Sequence, residues 1–203
     1  MSTAKIELHQ ARDFGKKLNA TIEFIKENFK PLFKSMLYIS GPFIALGSLL
    51  FIQVFSGFFR IIINETQGVD PTPDNFISMA AYGLGGFIFL LLGGTALIAT
   101  VHEYIILYEK KGAHTFSVDD VWQKVKKSFF SVLGTMLVYA LILAGGYTLI
   151  IVPTVFLGMV APGLMGIVLI VSYVGLLYIS VTFSLIFIIR AYEKVSIGKA
   201  ISR

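Results

Sequence analysis

The sequence contains no cysteine and few charged residues. Because none of the 203 residues is cysteine, the chain has no disulfide, no thiol nucleophile and no thiolate metal ligand. Charged residues make up 14% of the chain, compared with about 25% in ordinary soluble domains. Charge is missing altogether from three long stretches, residues 35–59, 75–101 and 128–189. This scarcity of charge argues against a soluble protein and indicates a chain that enters a membrane.

Sequence motifs of catalysis and metal binding are also missing. The three histidines, His9, His102 and His114, form no HxxxH pair, and the single His-Glu dipeptide lacks the second histidine of a zinc-protease motif. No Gly-x-Ser-x-Gly motif occurs. The glycine-rich residues 83–86 lie in an uncharged stretch without the lysine of a phosphate-binding loop. We therefore expect no catalytic residues, no metal and no cofactor.

Hydrophobic residues, in contrast, are abundant and make up 56% of the chain. A membrane-spanning helix needs about 20 consecutive apolar residues, and each of the first two uncharged stretches is long enough for one. The third is long enough for two, and prolines and glycines between residues 153 and 163 mark the turn. The sequence thus predicts an all-α polytopic membrane protein with four transmembrane helices. We place them at about residues 35–59, 76–101, 130–152 and 165–189.

The basic residues indicate the orientation of these spans. Of the 17 lysines and arginines, seven precede the first span, five lie between the second and third, and four follow the fourth. Because positive charge collects on the cytoplasmic side, we predict that both termini and residues 102–129 are cytoplasmic, in a bacterial inner membrane. The first 34 residues carry charges throughout, so we expect no cleaved signal peptide. The pI near 9.3 follows from this membrane pattern, and we expect no nucleic-acid partner.

The residues before the first span have the pattern of an amphipathic helix. Asp13 is suited to be its N-cap, and Pro31 is expected to begin the next helix because proline disrupts a helix interior. Lysines and glutamates occupy the remaining surface, so the helix is predicted to lie in the membrane interface. Packing as a soluble helix on a partner is the alternative. The apolar face consists of Phe14, Leu18, Ile22, Ile25, Phe29, Leu32 and Phe33.

The same pattern returns at residues 116–130, immediately before the third span. Ser117 and Asp120 resemble a capping box, and Trp122 lies at the interface height where tryptophan is enriched. Anionic lipid headgroups are expected to attract both surface helices through their lysines. The predicted membrane-anchoring residues are Lys16, Lys17, Lys26, Lys30, Trp122, Lys124, Lys126 and Lys127.

These recurrences predict a single membrane domain built from repeated units. Each unit is an amphipathic surface helix on the cytoplasmic side followed by a membrane hairpin. The units cover about residues 13–101 and 116–189, and a third begins at residues 193–203.

Units of this kind resemble the membrane domain attached to bacterial glycerophosphodiester phosphodiesterases, and related stand-alone bacterial membrane proteins. The spacing Glu-x-x-Ser-x-x-x-Ala-x-x-Arg at residues 193–203 is similar to the start of a repeat in those proteins. Residues 11–42 resemble membrane proteins of the Bacteroidetes group. The resemblance implies a helical inner-membrane protein that brings no catalytic residues, since the chemistry of the phosphodiesterases belongs to a separate soluble domain. The chain departs from the pattern by stopping where a third hairpin would start, as expected of a fragment or a shortened relative.

Two adjacent ionisable residues, His102 and Glu103, mark the end of the second span. At about 1.5 Å per residue, a helix that starts near Phe76 has already crossed the ~30 Å hydrocarbon core when it reaches His102. This places the pair at the cytoplasmic interface. A helix displaced outward by one or two turns would instead bring the pair into the membrane, where ionisable residues mark ligand or ion paths. Gln53, the most polar residue deep in a span, is expected to face protein and is a further candidate for ligand contact.

Glycines inside the spans predict close helix–helix packing, because a missing side chain lets another helix approach. Gly86 and Gly93 lie seven residues apart on one helix face. The complete predicted set is Gly83, Gly86, Gly93, Gly94, Gly145 and Gly146.

Three functions fit the sequence to different degrees. The favoured one is an integral membrane protein without catalytic activity of its own, acting as a scaffold, an accessory subunit or a handler of envelope lipids. Its partners would be the lipid bilayer and a protein partner or a second copy. The alternative is a transporter or channel for small solutes or lipids, although such proteins usually carry ionisable groups mid-span. A membrane enzyme would need convergent polar groups. The available ones are His102, Glu103 and the acids between the first two spans, which are Glu65, Asp70 and Asp74.

Overall fold

The computed structural model describes residues 13–112, 115–160, 163, 165–193 and 195–201. These residues form α1 (Phe14–Ile39), α2 (Gly41–Thr66), α3 (Pro73–Lys111), α4 (Val118–Val160), α5 (Met165–Glu193) and α6 (Ile197–Ile201). No strand occurs among them, which confirms the predicted all-α class. Helices α2 to α5 are long and apolar enough to cross a membrane, so the chain is a multi-pass membrane protein.

The chain divides into two compact units, Met1–Phe129 and Phe130–Arg203. These boundaries differ from those of the predicted repeats, because the beginning of α4 belongs to the first unit. The reason is side-chain packing at the end of α3. The ring of Phe116, just before α4, lies edge-on to the ring of Tyr104 with 4.9 Å between the centroids.

Within the first unit, α2 and α3 approach each other closely through glycine. A Cβ atom added at Gly86 would lie 2.7 Å from Cδ2 of Phe51, and one at Gly93 would lie 2.8 Å from Cγ1 of Ile44. Both distances are shorter than a carbon–carbon contact allows, so these positions require glycine for the observed approach. Gly47 of α2 serves in the same way against Leu90, although the sequence did not single it out.

The other predicted packing glycines have looser surroundings. A Cβ atom at Gly83 would make an ordinary 3.8 Å contact with Val54, and one at Gly146 a 3.6 Å contact with Ile179. Gly94 is half-buried. A Cβ atom at Gly145 would meet no atom within 4 Å, so the packing role expected of this glycine is not observed.

The first helix passes through Pro31 without ending, contrary to the expectation that this proline begins a new helix. Instead α1 ends at Ile39, and Ser40 joins it to α2, which has Pro42 in its first turn. Tertiary packing explains the difference. Buried residues lie on both sides of the proline, Phe24 and Asn28 before it and Ser35 and Ile39 after it, so one continuous helix keeps both groups buried. The first membrane helix therefore begins at Gly41 rather than at residue 35.

The fourth helix is also longer than predicted. The surface segment and the third span form one continuous α4, which passes through Pro153 and reaches Val160. The hydroxyl of Thr154 donates to the carbonyl of Ile150, 2.8 Å away. The helix thus continues through the first part of the turn predicted at residues 153–163 and ends at Val160, and residues 161, 162 and 164 lie outside the described residues. The second predicted span lies within α3, which extends beyond both of its ends, and the fourth lies within α5, which begins at Met165 and continues past residue 189 to Glu193.

In the second unit, hydroxyl contacts join α4 to α5. The Tyr139 hydroxyl lies 3.1 Å from both the carbonyl oxygen and the Oγ of Ser180, and its ring lies edge-on to Phe187. Thr154 and Ser172 are paired in the same way, 3.3 Å apart. Hydroxyl side chains of this kind are common between membrane helices, where they satisfy one another away from water.

Candidate functional site: a buried polar contact between the first and third helices

Two tyrosines, one helical turn apart on α3, form the centre of a buried polar region of the first unit. Tyr104 is 1% exposed and Tyr108 is fully buried. They lie beyond the predicted end of the second span at residue 101, because α3 continues to Lys111. There Gly112 ends the helix with a φ of 89°. A left-handed φ at this position favours glycine, which has no Cβ to clash.

The opposing side chains come from α1. The Tyr104 hydroxyl donates to Oδ1 of Asn28 at 3.1 Å, and the Tyr108 hydroxyl donates to Oε2 of Glu27 at 3.0 Å. Asn28 is fully buried, and its amide nitrogen donates to the carbonyl of Phe24 at 3.0 Å. Two adjacent residues of one helix are thus paired with two residues one turn apart on another. This arrangement, which we call the tyrosine clamp, fixes the rotation of α1 against α3.

Aromatic packing surrounds the tyrosine clamp. The ring of Phe24 stands edge-on to Tyr108 with 4.9 Å between the centroids, and Phe116 stands edge-on to Tyr104 at the same distance. Such edge-to-face pairs contribute about 0.5–1.5 kcal/mol each beyond their buried area. The Tyr104–Asn28 hydrogen bond is therefore buried, whereas the Tyr108–Glu27 bond is partly buried.

Glu27 is the charged member of the clamp. Its Oε2 accepts from Tyr108, whereas its Oε1 is buried and has no hydrogen-bond partner among the residues that the structure describes. Burying a polar atom without a partner costs about 1–3 kcal/mol. The hydrogen bond from the Tyr108 hydroxyl thus offsets part of the free-energy cost of burying the Glu27 carboxylate.

The ionisable pair singled out from the sequence lies beside the tyrosine clamp but not in it. His102 and Glu103 are both half-buried on α3. Neither side chain takes part in a hydrogen-bonded pair within the described ranges. Adjacent residues on a helix point about 100° apart, so the two do not converge on a common point. Gln53 is exposed on α2, contrary to the expectation that it faces protein, because α2 turns its Gly47 and Phe51 face toward α3.

The predicted anchoring lysines Lys16, Lys17, Lys26 and Lys30 are all exposed on α1. The N-cap prediction is confirmed, since the amide of Lys16 donates to Oδ1 of Asp13 at 2.8 Å. The face of α1 that packs on protein is separate from its predicted apolar face, which was expected to lie in the membrane interface. It contains Phe24 and Asn28, and the predicted apolar face remains largely exposed.

The second amphipathic segment behaves differently. Val121 and Val125, two of the apolar residues that recur in this segment, are fully buried, whereas Trp122 is 37% exposed with Nζ of Lys126 5.5 Å from its ring centroid. Lys124, Lys126 and Lys127 are exposed. The first amphipathic segment thus leaves its apolar face open, and the second buries part of it against protein.

A capping box, as predicted, begins the second segment. The amide of Ser117 donates to Oδ2 of Asp120 at 2.8 Å, and the amide of Asp120 donates to Oγ of Ser117 at 3.3 Å. The backbone bond from Ser117, reinforced by its hydroxyl and by nearby Lys111, lowers the pKa of the Asp120 carboxyl. Asp120 lies outside the predicted span of residues 130–152, and Lys111 is 3.8 Å away in an exposed ion pair.

A second polar contact closes the α4–α5 hairpin at one end. Nη1 of Arg190 donates to the carbonyl of Ser131 at 2.8 Å and to the hydroxyl of Thr135, and Nη2 donates to Oγ of Ser131 at 3.0 Å. Its Nε donates to the carbonyl of Val195. The planar guanidinium thus ties three segments of the second unit together, which a lysine with its single nitrogen could not do.

An apolar groove of about 410 Å³ lies between α4 and α5. Its lining comprises Leu143, Ala144, Tyr147, Tyr173, Leu176, Leu177 and Ser180. The hydroxyl of Ser180, one of these lining residues, is already hydrogen-bonded to the hydroxyl of Tyr139. The groove therefore offers hydrophobic surface rather than a set of convergent polar groups.

Comparison with known proteins adds no further assignment. No protein-family model matches the chain, and neither a curated protein nor a solved structure matches it. Among the described residues, no three or more histidine, aspartate or glutamate side chains are grouped so that they could hold a metal ion. His9 and His114 lie outside the described residues.

Sequence reasoning missed the tyrosine clamp. It placed Glu27, like the other glutamates of the first amphipathic helix, on the polar surface of that helix. One signal was available, the i, i+4 spacing of Tyr104 and Tyr108, which places both hydroxyls on one face. The partners on α1 could not be identified from spacing, because they are about 76–81 residues away in the chain.

Proposed function

We propose that this chain is an integral membrane protein without catalytic activity of its own, which acts as a scaffold or accessory subunit. One observation carries the proposal: the two buried tyrosines of α3 are paired with side chains of α1 instead of facing an open site. The hydroxyls of Tyr104 and Tyr108 donate their hydrogen bonds to Asn28 and Glu27. Enzymes and coupled transporters direct such groups toward a substrate or ion instead.

The proposal places the protein in a bacterial inner membrane with both termini in the cytoplasm. The distribution of lysine and arginine supports this orientation, with seven of 17 before the first predicted span and five between the second and third. The resemblance to the membrane domain of bacterial glycerophosphodiester phosphodiesterases agrees with a non-catalytic role. In this orientation the tyrosine clamp lies on the cytoplasmic side.

The test is native mass spectrometry of the full chain, released from its own membrane in mild detergent. We expect a complex of fixed stoichiometry above 22.4 kDa, whereas a retained lipid without a protein partner would favour lipid handling. The Tyr104→Phe/Tyr108→Phe variant should lose part of the bound partner, while the exposed-site control Tyr82→Phe should keep it. A chain that carries no partner would contradict the scaffold role. Solute flux above that of empty vesicles, in proteoliposomes containing the chain, would then support the transporter or channel alternative.

A second candidate function is the handling or transport of lipids. The apolar groove between α4 and α5 favours it, because its volume of about 410 Å³ suits part of an acyl chain. Transfer of a fluorescent phospholipid between vesicles, dependent on the reconstituted chain, would support this candidate. Replacement of Ala144 by Trp should then block the transfer by filling the groove.

A further inference from the structure

The first helix has an apolar stripe that no protein segment covers in the described part of the chain. Six large side chains along it are between 46% and 78% exposed. Monomeric proteins rarely leave a contiguous apolar surface of this kind in water. The stripe consists of Phe14, Leu18, Ile22, Ile25, Phe29 and Phe33.

At 100° per residue, α1 has three distinct faces. The first packs on protein and contains Phe24 and Asn28, held by the tyrosine clamp. The second is the apolar stripe. The third is polar, and it presents Lys26 and Lys30 one turn apart beside Phe29 of the stripe. Because the clamp fixes the rotation of the helix, it also fixes the direction in which the other two faces point.

The exposed polar surface of α1 is positively charged. Five lysines and two glutamates lie between Phe14 and Ile39, which gives the helix a net charge of +3. One of the two glutamates, Glu27, is engaged in the clamp rather than on the open surface. An acidic surface is therefore the complementary one.

We propose that α1 binds the anionic phospholipids of the leaflet on which it lies. The apolar stripe enters the boundary between headgroups and acyl chains, and Lys26 and Lys30 bind the lipid phosphates. Two observations select a lipid surface. The stripe and the lysines are adjacent along the same helix, as in interfacial helices, and α1 leads through Ser40 directly into a helix long enough to cross the membrane. The inference rests on the membrane orientation given above.

The first experiment measures lipid preference. Full-length protein in mild detergent is titrated with phosphatidylglycerol and, separately, with phosphatidylcholine, and bound lipid is counted by native mass spectrometry. At about 1 kcal/mol per lysine, Lys26→Gln/Lys30→Gln should lower the preference for phosphatidylglycerol by about thirty-fold. The control Arg60→Gln/Lys110→Gln removes the same charge from exposed positions off α1 and should change it by less than about three-fold. Equal effects of both variants would overturn the proposal.

The second experiment locates the stripe. The chain lacks cysteine, so a nitroxide can be attached at Phe29→Cys or, as the matched control on the polar surface, at Glu23→Cys. In vesicles containing phosphatidylglycerol, the label at residue 29 should collide with oxygen dissolved in the lipid, and the label at residue 23 with a water-soluble relaxant.

Two results would replace the lipid by another occupant. Strong spin–spin broadening at residue 29 would show that a second copy of the chain covers the stripe. Access of that label to the water-soluble relaxant would show that lipid does not cover the stripe and would favour a protein partner. Either result overturns lipid binding by α1. A complex of fixed stoichiometry from native membranes would still support the scaffold role, so the two proposals fail separately.

Discussion

At the scale of single residues, the tyrosine clamp depends on hydroxyl groups that have no access to water. Tyr104 is 1% exposed and its acceptor Asn28 is fully buried. Removing the hydroxyl leaves the amide oxygen buried without a donor, and this costs more than the hydrogen bond itself contributes. The loss is therefore larger than for the same change at an exposed tyrosine.

We expect Tyr104→Phe to lower the free energy of unfolding of the chain in detergent micelles by about 1–3 kcal/mol. Thermal or denaturant-induced loss of helical circular dichroism is the measurement. Tyr82→Phe, which removes a hydroxyl from an exposed ring on the same helix, should change stability by less than about 0.5 kcal/mol. If both variants unfold alike, the clamp does not hold α1 on α3.

At the scale of elements, the α2–α3 pair depends on glycines, whereas the α4–α5 pair depends on hydroxyl contacts. A Cβ atom at Gly86 would lie 3.2 Å from the backbone oxygen of Gly47 as well as 2.7 Å from the Phe51 ring. The ring could rotate away, but the backbone oxygen moves only with its helix. Close packing of α2 on α3 therefore tolerates no side chain at this position.

Gly86→Ala should destabilise the chain even though alanine favours a helix over glycine by about 1 kcal/mol. Gly145→Ala is the matched control, because its Cβ would meet no atom within 4 Å and only the helix propensity would change. Unfolding in micelles should show a lower free energy of unfolding for Gly86→Ala and an unchanged or higher one for Gly145→Ala. Equal gains at both positions would show that α2 and α3 do not approach as closely as described.

At the scale of the whole molecule, four membrane-crossing helices bring residues 66 and 111 to opposite sides of the bilayer in the proposed orientation. Thr66 ends α2 and Lys111 ends α3, and both are exposed. In this cysteine-free chain, a single cysteine at either position should react with a membrane-impermeant maleimide from one side only.

We expect Thr66→Cys to be labelled in intact cells and Lys111→Cys only after the membrane is opened. The physical reason is the excess of basic residues on the side of Lys111, which are retained in the cytoplasm. Labelling of residue 111 in intact cells would reverse the topology and with it the leaflet assigned to α1.

Local sequence patterns were enough to predict the helical class, the number of membrane helices and the two helix starts with side-chain caps. These features depend on local chemistry: uncharged stretches of sufficient length, and Asp13 or Ser117 beside free amide groups. The close-packing role of Gly86 and Gly93 was also readable, because glycines seven residues apart share a face. Each of these predictions needs only neighbours in the chain.

Tertiary structure alone decided which face of α1 is buried and which polar groups are paired. The apolar pattern indicated the face of α1 that was expected to meet the membrane, but it did not show that Asn28 and Glu27 pair with the tyrosines of α3. The same packing carried α1 through Pro31, where propensity favoured an end. A hydrogen bond between residues about 80 positions apart depends on how two helices pack against each other, and the local spacing of residues does not predict that packing.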